Sequence, residues 1–321
     1  LHSTGVSIAS AGVISLLAPL GLRAEDLKRQ GKACILVFLN GAPSQLETWD
    51  PKPGQGNGGP TKGIKTAIPG IDFAEFWPKL AASMKDLSVI RSLTSKEGDH
   101  ERGTHYVQTA YQPEITTRYP SIGAILNHEL PDPRIEIPNH VALAQGDGFS
   151  APRGGYLGDE YDAFRVYSPG GNLNNMKQRV EQIRQERRLA NLEIVSNSFR
   201  QGREARVEGT LHQQTMERAL TMMKSDQLKA FQIAEESQDT ITRYGDSNFG
   251  RGCLVARRLV EVGVRAIQVT LPGFDTHANN YEGHKTQTEI LDPAFSALIH
   301  DLVDRDLLAS TIVLCIGEFG R

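Results

Sequence analysis

A chain of 321 residues, 39% hydrophobic and 23% charged, has room for one large α/β domain or two smaller ones, and its composition is that of a soluble globular protein. The formal net charge of −3 supplies no global field towards nucleic acid or anionic membrane, so no nucleic-acid partner is expected. Three widely spaced cysteines without a CxxC pair exclude a disulfide framework, a zinc knuckle and a redox pair.

The first readable feature is the uncharged run Gly5 to Leu22, followed at once by Arg23, Ala24, Glu25 and Asp26. It has the form of a signal-peptide h-region meeting a cleavage zone. The run is about long enough for a membrane span, but its Gly, Ser and Ala content and Pro19 favour a cleaved signal. Residues 1–24 are thus expected to be a signal remnant with few contacts to the body. The charged n-region would lie before Leu1. The mature chain, from residue 25, is expected to be exported, periplasmic or extracellular, without a stable membrane span.

Ala33–Leu39 is a continuous apolar run of the kind buried on both faces of a sheet. Its loop carries Asn40, Ser44, Glu47 and Asp50, and residues 53–63 are Gly- and Pro-rich loop. A short helix is predicted around Phe76–Met84 and a short strand over Leu87–Ile90. The segment Gly98–Pro113 holds His100, Glu101, Arg102, Thr104 and His105, with a helix expected from His105. Ser121–Leu130 is a predicted helix and His140–Ala144 a predicted strand, while residues 145–172 are expected to be irregular. From Leu173 to about Arg243 no proline occurs, which predicts helix throughout, interrupted only at Gly202 and Gly209, and a helical insertion at about 173–245. The run Lys177 to Arg206, with eight basic and four acidic residues, fits a solvated helical face.

Helix Phe249–Val262, strand Arg265–Leu271, helix Asp292–Arg305 and strand Ser310–Ile316 then alternate with short connections. That alternation is the signature of a parallel, doubly wound sheet. The three strongest strands are expected to be parallel neighbours. Such sheets form ligand sites outside the carboxyl ends of their strands. Three of those ends are rich in functional side chains: Asn40 and Ser44; Asp275, Thr276, His277, Asn279 and His284; Glu318 and Arg321.

Asp275 and His277 offer oxygen and nitrogen donors that suit zinc, manganese or iron, although Asp275 could instead cap a turn. Glu318 could complete a metal shell or pair with Arg321. Ser44 is a candidate nucleophile or a helix cap. Of His100 and His105, five residues apart and so not on one helical face, one is expected to reach the site. Carboxylate or imidazole atoms of Asp275, His277 and Glu318 are expected to converge, with Asn40 facing them. The match Gly54-x-Gly56-x-x-Gly59 lacks the strand before it and the helix after it, and no Walker-type loop occurs, so no nucleotide cofactor is expected.

The stretches Leu39-Asn40-Gly41-Ala42-Pro43-Ser44-Gln45-Leu46-Glu47-Thr48-Trp49-Asp50-Pro51-Lys52-Pro53, Tyr119-Pro120-Ser121-Ile122-Gly123, Ala256 to Val264, Gly273-Phe274-Asp275-Thr276-His277 and Gly317-Glu318-Phe319-Gly320-Arg321 carry a resemblance. Together they resemble a bacterial exported family, the domain of unknown function 1501 family, whose members usually begin with a twin-arginine-type signal. That family looks like a branch of the alkaline-phosphatase-like (sulfatase-like) superfamily, which hydrolyses phosphate or sulfate esters on a mostly parallel α/β sheet, usually with two metals.

The resemblance implies Asp275 and His277 as a metal pair, and Glu318-Phe319 where the superfamily has Asp-His. Asn40 falls where a metal carboxylate is usual. Ser44 and Thr104 are both candidate nucleophiles; His105 joins them as a catalytic candidate, and Asn40, His100 and Arg321 as substrate-binding or orienting groups. A divalent cation (zinc, manganese, calcium or magnesium) and a small-molecule or polymer ester substrate are the implied partners. A second Asp-His segment is expected beyond Arg321. The alternative is a non-catalytic exported binding or scaffold protein that retains the fold.

Overall fold

The computed structural model describes residues 30–144, 151–176, 179–203 and 211–320; the expectations for residues 1–24 and for Arg321 lie outside them. The elements, in chain order, are β1 (Ala33–Leu39), β2 (Gly63–Lys65), β3 (Asp72–Ala74), α1 (Pro78–Ala82), α2 (His100–Thr109), α3 (Ile122–Glu129), β4 (His140–Leu143) and β5 (Phe164–Val166). They continue with α4 (Gln182–Arg200), α5 (His212–Lys224), α6 (Gln238–Tyr244), α7 (Asn248–Val262), β6 (Ala266–Leu271), α8 (Asn280–Asp304) and β7 (Thr311–Gly317).

The central sheet has the order β5-β4-β6-β1-β7, and every pairing in it is parallel. The three apolar runs are therefore neighbours, as their composition predicts. Burial explains why they are so legible: all six residues of β6 are buried, and β1 alternates buried with half-buried positions before closing on Val37, Phe38 and Leu39. A strand covered on both faces is apolar at most positions; in β6 only Gln268 and Thr270 depart from this. Helix α7 packs Cys253, Leu254, Val255, Ala256, Leu259 and Val260 into the core. Its start is set by Ser247, whose hydroxyl accepts from the Gly250 N–H at 2.9 Å.

Several sequence expectations are corrected. Leu87–Ile90 forms no strand: Leu87 and Val89 pack partly on the core, Ile90 is exposed, and no described strand pairs with them. Helix α2 begins at His100 instead of His105, because the Asp99 carboxylate accepts the Arg102 N–H at 3.0 Å and starts the helix one turn earlier. Helix α8 begins at Asn280 and runs through Pro293. Proline costs an interior helix one hydrogen bond; here burial of Leu291, Ala294, Phe295 and Leu298 in the core offsets that cost. The three-residue strand β5 lies in the segment expected to be irregular. Among the described residues the stretch from Leu173 to Arg243 holds α4, α5, a 3-10 turn at Asp226–Phe231 and α6; it breaks at 201–203, around the expected interruption at Gly202, and again between α5 and α6, where no interruption was expected. Helix α4 buries none of its residues, in keeping with a solvated face.

Among the described residues no helix is long and apolar enough to cross a membrane. The three cysteines are free; burial pushes the Cys34 thiol up to about 11, which suits its place as a small core residue.

Candidate functional site

Strand register sets the rim. Leu39 pairs with Leu271 on one side and with Gly317 on the other, so β1, β6 and β7 end level with one another. The residues that follow, Asn40, Pro272 and Glu318, therefore leave the sheet together. The Asn40 N–H donates to the Leu271 carbonyl at 2.9 Å, and the Phe274 N–H donates back to the Asn40 carbonyl at 3.2 Å.

The two loops pass so closely that only glycine fits between them. Gly41 has φ +112°, and a Cβ there would sit 2.3 Å from the Asp275 backbone nitrogen. This approach leaves the Gly41 N–H free to donate to Glu318 Oε1 at 2.9 Å. A charged acceptor makes that one of the stronger hydrogen bonds of the rim.

Glu318 is 1% exposed. The same Oε1 lies 2.6 Å from His100 Nδ1, and His100 Nε2 lies 3.2 Å from Asp275 Oδ2. His100 thus stands between two carboxylates, with its ring against Phe319 at 5.0 Å between centroids. Asp275 Oδ2 also meets His277 Nε2 at 3.0 Å. His277 is 80% exposed in its side chain and sits at φ +48°. The imidazole that links Asp275 to Glu318 is therefore His100, where the sequence pointed to His277.

Helix α2 presents His100 and Thr104 on one face, since residues four apart are neighbours on a helix. Between them Gly103 packs on Glu318 and Phe319, a Cβ there lying 3.1 Å from both side chains. Thr104 is buried, and its hydroxyl has no partner among the described residues. The same holds for the Asn40 amide nitrogen and for Glu318 Oε2. Three buried polar atoms without partners thus lie on adjoining segments: the end of β1, the face of α2 and the end of β7. Unsatisfied buried groups cost roughly 1–3 kcal/mol each, and each calls for an explanation such as a bound water, an ion or a catalytic role.

His105 faces away from His100 along α2; burial, with a smaller contribution from Arg102, lowers its pKa against an opposing pull from Glu97. Ser44 is buried, and its hydroxyl accepts from the Leu46 N–H at 3.3 Å, turning the loop. The Ser44 N–H donates to Nε2 of fully buried His284 at 2.8 Å, while His284 Nδ1 lies 2.9 Å from the Asn280 carbonyl. Those partners place the proton on Nδ1 and make His284 a strut from α8 to the β1 loop. Arg321 lies outside the described residues. Among them, no group of three or more His, Cys, Asp and Glu is arranged to hold a metal ion; the partnerless atoms at the rim include an amide and a hydroxyl.

The family model described as "Protein of unknown function (DUF1501)" matches residues 31–321. No curated protein matches the chain, and no solved structure matches it.

Proposed function

The chain belongs to the DUF1501 family, and from its rim we propose an exported metal-dependent hydrolase of phosphate or sulfate esters on an alkaline-phosphatase-like α/β fold. One observation carries the reading: the buried, partnerless Glu318 Oε2, Asn40 amide and Thr104 hydroxyl on adjoining segments. Carboxylate, amide and hydroxyl oxygens are the donors a hard divalent cation takes, and the Asn40 amide can offer its oxygen by a flip. Glu318, Asn40 and Thr104 would hold the cation, with Asp275 and His277 at the more open mouth. When bound, the ion would polarise the ester oxygen and stabilise the charge that develops there.

His100 supplies the proton chemistry in this reading. Both carboxylates can only accept, so its contacts to Asp275 and Glu318 are both hydrogen bonds only when both ring nitrogens carry protons. Nε2, on the Asp275 side, can pass its proton to the leaving group, while Nδ1 stays held by buried Glu318. Proton transfer from a positioned group contributes about 10²–10⁴-fold in rate. Thr104, one helical turn from His100, is the better-placed hydroxyl nucleophile, since the Ser44 hydroxyl is engaged with its own loop.

A second reading, a non-catalytic scaffold that retains the fold, is favoured by Asn40 standing where a carboxylate would bind metal more strongly and by the 3% exposure of Thr104. The full-length protein separates the two. Bound metal is measured by elemental analysis, and hydrolysis with 4-nitrophenyl phosphate and 4-nitrophenyl sulfate. The enzyme reading expects stoichiometric metal that Glu318→Gln removes, and a rate that His100→Gln lowers by about 10²-fold or more. Metal-free protein without either activity supports the scaffold.

A further inference from the structure

A second buried carboxylate, Glu47, lies outside the rim constellation. Its side chain is 4% exposed; Oε1 accepts from the hydroxyl of buried Thr61 at 3.3 Å, and Oε2 has no partner among the described residues. Its backbone is pinned as well, because the indole N–H of fully buried Trp77 donates to the Glu47 carbonyl at 3.1 Å. Of the basic residues around it, Lys52 pairs with Asp50 at 2.6 Å, Lys65 with Asp72 at 2.9 Å, and Arg91 with Asp50 at 3.5 Å and the Asp72 carbonyl, while Lys62, next to Thr61, is exposed and makes no ion pair to Glu47 among the described residues. No ion pair to Glu47 occurs among the described residues. Removing a carboxylate from water without a compensating charge costs several kcal/mol, and buried charges are otherwise paired or coordinate a metal.

We propose that Glu47 and Thr61 form a buried site for one alkali-metal cation, sodium or potassium, that ties the Gly-rich loop of residues 53–63 to the loop following β1. Charge decides the ion class. A single carboxylate neutralises a monovalent cation, whereas a divalent one would leave an uncompensated buried positive charge. Oxygen donors of the carboxylate and hydroxyl kind suit a hard ion. Gly59 brings the loop to the carboxylate, a Cβ there lying 4.0 Å from Glu47 Oε1. The site is built from residues other than His100, Asp275 and Glu318, and the inference does not rest on the hydrolase reading.

The test is thermal unfolding of the full chain in sodium, potassium and choline chloride at equal ionic strength, for wild type, Glu47→Gln, Thr61→Val and Glu318→Gln. Ligand linkage expects the wild-type midpoint to be roughly 2–6 °C higher in sodium or potassium than in choline. Glu47→Gln should abolish that difference, Thr61→Val should shrink it, and Glu318→Gln should keep it. Equal wild-type midpoints in all three chlorides would overturn the proposal, even if Glu47→Gln failed to fold. So would a Glu47→Gln variant that retains the difference, or a wild type stabilised by added calcium chloride but by neither alkali salt.

Discussion

Replacing Gly41 with alanine tests the idea that close passage of two loops builds the rim. The new Cβ would lie 2.3 Å from the Asp275 nitrogen, 2.8 Å from the Phe274 carbonyl carbon and 2.9 Å from the Phe274 nitrogen. All three are backbone atoms, so no side chain can swing away; the β6 loop must retreat by roughly 1 Å to reach ordinary contact. Such overpacking costs about 1–3 kcal/mol, and a left-handed backbone adds about 1–2 kcal/mol for any residue with a Cβ. If the retreat breaks the Gly41 N–H bond to buried Glu318, about 1.5–3 kcal/mol more is lost, as is usual for a charged acceptor. The expected total is about 2–5 kcal/mol with the bond kept and about 3.5–8 kcal/mol with it broken.

Gly54→Ala is the matched control, because Gly54 has φ +75° but nothing within 4 Å of the added Cβ. It should carry only the conformational part, about 1–2 kcal/mol. Urea unfolding of both variants, compared at equal m-value, measures the difference. Losses that agree within about 0.5 kcal/mol would refute the close-passage argument. A Gly41→Ala protein that keeps the wild-type stability would refute the strain as well.

The buried His140 should make stability pH-dependent. Burial pushes its pKa down to about 4 from about 6.5 in the unfolded chain, so the unfolded state binds the extra proton between those values. Stability is therefore fully present above pH 6.5 and declines as pH falls towards 4, by up to about 3 kcal/mol. His140→Asn, which keeps a donor near the Tyr161 carbonyl now 2.9 Å from Nδ1, should flatten that window in pH-dependent unfolding; an unchanged slope would contradict the assignment. Arg257, 1% exposed, meets Glu236 and Glu261 at 2.8 Å and Asp301 at 3.5 Å. Arg257→Met should cost about 3 kcal/mol by stranding these acids, and a loss under about 1 kcal/mol in denaturant unfolding would show that Arg258, Arg243 and Tyr244 already satisfy them.

β1 and β6 were readable at once, because strands buried on both faces are apolar at most consecutive positions; β7 was readable from its apolar run although Ile312 and Leu314 are exposed at the end of the sheet. Ala33–Leu39 was read with the bounds observed, and the other two within a residue. The parallel arrangement followed from the alternation of helix and strand. Element boundaries set by a single side chain were read less well. Asp99 starts α2 a turn before the expected position, and α8 begins at Asn280, well ahead of the expected Asp292. The three-residue strand β5 has too few positions for any periodicity to show.

For the rim, the sequence by itself determined which loops would gather at the carboxyl ends of the strands, because parallel direction and short connections leave no other edge. Only the tertiary structure decided which side chains meet there. His100 and Glu318 are separated by 218 positions, and their contact depends on the level ends of β1 and β7 and on Gly103 letting α2 approach. His277, two residues from Asp275, has a left-handed backbone and a side chain turned largely to solvent. Partnerless buried atoms such as Thr104 Oγ1 and Glu47 Oε2 have no sequence signature at all, since burial without a partner is a property of the packed chain and not of the residue type.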